Sequence, residues 1–128
     1  MKKILITGLA GGALLFSTAA FADLAGELST AQTHAGLAAK GADVNAVHMH
    51  LHHALNCLVG PGGAGFDASN ANPCASAGKG ILVDSTDAAQ KAKLQVAVAD
   101  ANKGIAATDL AAAQAAGNDT AMAIGGAK

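Results

Sequence analysis

Beyond its first 22 residues this chain holds a single aromatic side chain, Phe66, and its Leu, Val and Ile residues are scattered singly among alanines. Few folds can be built from such material. A core poor in large side chains needs elements that approach one another closely, backbone almost against backbone. Alanine is the strongest helix former, and the β-branched and aromatic runs that favour strands are scarce. The expectation is an all-α fold, a small antiparallel bundle of about four helices.

Periodicity divides the chain accordingly. Leu24, Leu28, Ala31, Ala35 and Ala38 form one apolar stripe, so a first helix is expected from Asp23, its cap, to about Lys40, with Gly41 closing it. Asp43 caps a second helix over Val44 to Val59, with Val44, Val47, Leu51, Leu55 and Leu58 as its buried stripe. Gly60-Pro61-Gly62-Gly63 ends that helix and opens an aperiodic Gly-, Pro- and Asn-rich loop over 60–80. Ile81-Leu82-Val83 reads as a short extended segment, after which Asp84 or Ser85 caps a third helix carrying Leu94, Val98, Ala101 and Ile105. A break near Thr108-Asp109 starts a fourth helix to about Ala116, leaving 117–128 as a weakly ordered tail. The passage His34–Ala39 before Asp43-Val44 resembles Lys103–Ala107 before Asp109-Leu110, so the helices pair as two related hairpins.

The first 22 residues have the pattern of a secretory signal peptide. Lys2 and Lys3 precede an apolar stretch from Ile4 to Phe16, and Ala20-Phe21-Ala22 offers a small-x-small cleavage site. Cleavage after Ala22 leaves one domain, residues 23–128, in the periplasm or outside the cell. The apolar stretch is short for a membrane span and has no stop-transfer basic residues behind it. In the remaining 106 residues six lysines face nine carboxylates, with no arginine anywhere. A nucleic-acid partner is therefore not expected, since that needs a clustered basic face.

Cys57 and Cys74 are the only cysteines. In an exported chain the expectation is a disulfide closing the glycine-rich loop onto the second helix. The rival reading makes Cys57 a thiolate ligand, one turn beyond His53. Gly60–Gly65 lacks the flanking strand and Lys-Ser/Thr of a phosphate cradle, and Asp67, Asn70 and Asn72 lack the spacing of a calcium loop. No serine or cysteine nucleophile stands at readable spacing from a base, so no enzymatic role is expected.

Chemistry is concentrated in His34 and the run His48-Met49-His50-Leu51-His52-His53, which hold all five histidines. Solvation and packing give no reason for four imidazoles in six positions, whereas transition-metal ligation does. His48 and His52 stand at i, i+4 on one helix face, the spacing by which two imidazoles chelate one ion. His34, facing them across the hairpin, is the expected third ligand. Met49 and His53 form a second i, i+4 pair about 100° away, and His50 points elsewhere, near Cys57. The expected ligand set is thus His48, His52 and His34, with His53, His50 and Met49 available around them. Imidazole accommodates copper, zinc or nickel, and a nearby thioether favours copper.

Thr33-His34-Ala35-Gly36 in an alanine-rich helix, followed by the His48–His53 run behind a signal peptide, resembles the small periplasmic histidine-rich helical proteins of the "small metal-binding protein" type. The likeness covers about residues 23–58. It implies a helical bundle that binds several divalent ions, copper among them, and buffers or carries them. This chain departs from that pattern in having two cysteines and no histidine in its second half, so one focused site is expected. The functional expectation is an exported protein that sequesters or delivers copper, zinc or nickel, alone, as a homo-oligomer or with a metal-delivery partner. Two other roles fit the residues: a non-covalent haem-binding electron-transfer bundle with Met49 or Met122 as axial ligand, and a partner-binding or structural module whose histidines respond to pH.

Overall fold

Four aspartates set where the long helices begin. The computed structural model describes residues 22–128, so the expected signal segment, Ala22 apart, lies outside the described residues. The elements are α1 (Leu24–Ala38), α2 (Val44–Val59), the single turn α3 (Ile81–Asp84), α4 (Ala88–Ala106) and α5 (Leu110–Gly125), with no strand among the described residues. Asp23, Asp43, Asp87 and Asp109 each accept the amide N–H three residues on, at 2.9, 2.8, 2.6 and 2.9 Å. Each such cap contributes about 1 kcal/mol.

The helices form two antiparallel hairpins, α1–α2 and α4–α5, packed side by side. Ala38 of α1 lies against Gly117 of α5, and Gln32 of α1 against Gly125, so these two helices also run in opposite directions. The core is Leu28, Val47, Leu51, Leu55, Leu58, Ile81, Leu94 and Ile124, filled in by eight or more buried alanines such as Ala31, Ala35, Ala97 and Ala113. Val44, expected in the buried stripe of α2, is only partly covered.

Close helix approach is visible at two glycines. A methyl group on Gly117 would stand 2.8 Å from the Ala39 amide nitrogen and 3.0 Å from the Ala38 side chain. One on Gly104 would stand 2.4 Å from Leu51 and 2.9 Å from Ala116. Gly117, expected to end order in the chain, thus sits inside α5, which continues to Gly125 with Thr120 and Ile124 fully buried. The tail beyond 117 is helical because its small residues let it dock on α1.

Two other expectations are corrected. Ile81-Leu82-Val83 is helical, a turn that drives Ile81 into the core. The cap of α4 is Asp87, because Asp84 instead accepts the Lys79 amide at 2.6 Å and the Ser85 hydroxyl bonds Gln90.

The loop over 60–80 is held by α2. The fully buried Asn56 side chain donates to the carbonyls of Asp67, Asn70 and Ala71 at 2.9, 3.2 and 3.1 Å and accepts the Asp67 amide at 2.9 Å. One residue on, Cys57 is joined to Cys74 by a disulfide spanning 17 residues, worth on the order of 3 kcal/mol in the chain-entropy model. Glu27, fully buried in the first turn of α1, reaches the same loop and accepts the Gly80 amide at 3.1 Å. Burial and then the neighbouring Asp84 and Asp23 carboxyls push Glu27 up to about 7, against the opposing Gly80 hydrogen bond. Its Oε2 meets no donor among the described residues, a state that suits a protonated carboxyl, which donates instead of accepting.

Two outcomes follow for stability. Asn56→Ala leaves one amide and three carbonyls to find other partners and should cost about 2–4 kcal/mol in urea unfolding; a loss under about 1 kcal/mol would mean the loop does not depend on this side chain. Glu27 binds its proton more tightly folded than unfolded, so its contribution is complete below 4.5 and declines as pH rises through about 7. Relative to Glu27→Gln, wild type should therefore lose up to about 3 kcal/mol between pH 4.5 and 8 when both are unfolded across that range.

Candidate metal centre

His34 stands near the end of α1, and His50 and His53 stand one turn apart in the middle of α2. Because α1 packs along the side of α2 that carries positions 50 and 53, the three rings meet in the groove between the helices, each partly buried. One ring nitrogen from each lies within 4.8 Å of one from each of the others. His34 Nδ1 and His50 Nδ1 are 3.3 Å apart, which is about the edge between two ligands of a tetrahedral ion with bonds of about 2.0–2.1 Å. His53 stands edge-on to both, with ring centroids 5.0 Å from His34 and 5.8 Å from His50.

Burial holds the His34 imidazole below its ordinary value of 6.5, and the facing His53 and His50 rings lower it further. His53 is lowered likewise by burial, then by His50 and His52. Both rings are therefore neutral at pH 7, with a lone pair available for a cation. Nδ1 of His53 is buried without a hydrogen-bond partner among the described residues. Partly buried, mutually facing imidazoles make a poor packing cluster and a good cation site.

The expected core ligands His48 and His52 lie elsewhere. His48 Nε2–H donates to the Ala107 carbonyl at 2.8 Å, tying α2 to the end of α4. His52 Nδ1 stands 3.5 Å from the Asp67 carboxylate. The Ser69 hydroxyl and amide and the Asn70 amide hold Asp67 down at about 2. The i, i+4 pair thus does share a side of α2, but it faces α4 and the loop instead of α1. The triad uses an i, i+3 pair, which equally shares a helix face. His34 is in the expected group with different companions. Met49, next to the cluster on α2, is 43% exposed. Both cysteines are in the disulfide, so Cys57 is no thiolate ligand. Sequence reasoning missed Asp67 and Ala107 as histidine partners, and neither carries a signal in its local sequence.

No family model, curated protein or solved structure matches this chain.

In the metal-free protein, NMR titration should place the His34 and His53 midpoints below 6.5, the ordinary imidazole value. Midpoints at or above it would mean that the rings are solvated and the cluster is not formed.

Proposed function

We propose that this chain is an exported protein that binds a transition-metal ion through His34, His50 and His53 and sequesters or delivers it. The observation that carries this is the triad itself: three partly buried imidazoles from two helices, with donor atoms within 4.8 Å. Nitrogen ligands of this kind suit copper, zinc and nickel. The role proposed for the triad is binding of the ion. Its likeness to the small periplasmic histidine-rich proteins accords with this reading.

Export is supported by the disulfide, which persists in oxidising compartments, and by the signal pattern of residues 1–22. No helix among the described residues is long and apolar enough to cross a membrane.

Copper(II) or zinc(II) titrated into protein purified without an affinity tag should bind one ion per chain. His34→Ala, His50→Ala or His53→Ala should each weaken binding by more than roughly 100-fold, beyond the roughly 10–100-fold typical of losing a group that only supports a ligand. His48→Ala and His52→Ala should change it by less than roughly tenfold. Equal losses across all five variants would argue for a diffuse histidine patch and against a defined centre.

A further inference from the structure

Three imidazoles leave a four-coordinate ion one ligand short. We propose that Met49 supplies the missing ligand as a thioether, and that the completed site of three nitrogens and one sulfur selects monovalent copper. The inference rests on the reading of the triad as a metal site.

Placement is the first support. Met49 lies on α2 four residues before His53, so the two side chains leave the helix as neighbours, with about 5–6 Å between their Cβ atoms. Its three rotatable side-chain bonds allow the sulfur to swing toward the rings. The groove between α1 and α2 is open on its outer side, since all three imidazoles are only partly buried.

The second support is that the fold makes no other use of this residue. On the same helix Leu51, Leu55 and Leu58 are 0–1% exposed and form the core, whereas Met49 is 43% exposed. The other described methionine, Met122, is on α5 and its sulfur takes an N–H from Asn118 at 3.4 Å. With Cys57 and Cys74 in the disulfide, no thiol among the described residues competes for a soft ion.

Ligand chemistry then names the ion. Thioether sulfur is a soft donor that binds copper(I), while zinc(II) and copper(II) prefer nitrogen and oxygen. Without Met49 the triad is a general imidazole site. With it, one oxidation state of one metal gains a ligand that the others do not use.

The experiment loads the full chain with copper(I), and separately with zinc(II), as wild type, Met49→Leu, Met122→Leu and His34→Ala. The disulfide is checked by mass spectrometry, and X-ray absorption at the copper edge is recorded beside competition titrations. A sulfur neighbour of copper is expected in wild type and Met122→Leu and absent in Met49→Leu. The ratio of copper(I) to zinc(II) affinity should fall roughly tenfold or more in Met49→Leu, a variant of nearly the same volume whose helix content is confirmed by circular dichroism. A copper shell of nitrogen and oxygen alone in wild type, or an unchanged affinity ratio, overturns the role of Met49. If zinc binding is still lost in His34→Ala, the triad stands without its fourth ligand. Zinc and copper(I) binding that both ignore His34→Ala overturns the triad and this inference together.

Discussion

Where α5 passes α1, backbone meets backbone. The space beside Gly117 would not hold even one methyl group without contact at 2.8 Å to the Ala39 amide, and the same holds where Gly104 meets Leu51 and Ala116. The rest of the bundle depends on this closeness. With large apolar side chains so few, burial per residue is modest, and dispersion between tightly approached small residues has to make up the difference. Alanines at 31, 35 and 38 are fully buried along α1, and Ala38 is one of the residues Gly117 meets.

The alanine content that dictates close packing also made the fold legible in sequence. The limits of α2, the hairpin pairing and three of the four aspartate caps follow from local signals, because capping and periodicity are properties of a few neighbouring residues. What local signals do not carry is which neighbour a residue meets. Gly117 has the composition of a helix stop and functions as a contact surface, a distinction made only by α1 lying across it. Asp84 and Ser85 are the caps that local signals suggest, until the buried Glu27 and the Lys79 amide engage the first of them and Asp87 caps α4 instead.

The histidines divide along the same line. A helical wheel sets His48 and His52 apart, but pairing His53 with Met49 and sending His50 elsewhere misses that His50 and His53 both meet His34, because nothing on the wheel says on which side α1 packs. That depends on the direction in which the hairpin turns over Gly41 and on how α4 and the loop cover the opposite side. His48 is taken up by the Ala107 carbonyl, and His52 stands 3.5 Å from the Asp67 carboxylate, residues 59 and 15 positions distant. The i, i+3 pair is left facing His34. The disulfide and Asn56 hold the next turn of α2 on the loop side, and this keeps His53 from rotating away from the groove.

The 3.3 Å separation of His34 Nδ1 and His50 Nδ1 has a chemical corollary. Two ring nitrogens at that distance are held together by one hydrogen, which sits on Nδ1 of one ring and is accepted by the lone pair of the other. To ligate an ion through both atoms, the donor ring must give up that hydrogen or carry it on Nε2 instead. The centre is therefore organised around a hydrogen shared by two of the atoms that would hold the metal. Occupation moves that hydrogen to Nε2 of the neutral donor ring and sets the ion between the same two nitrogens.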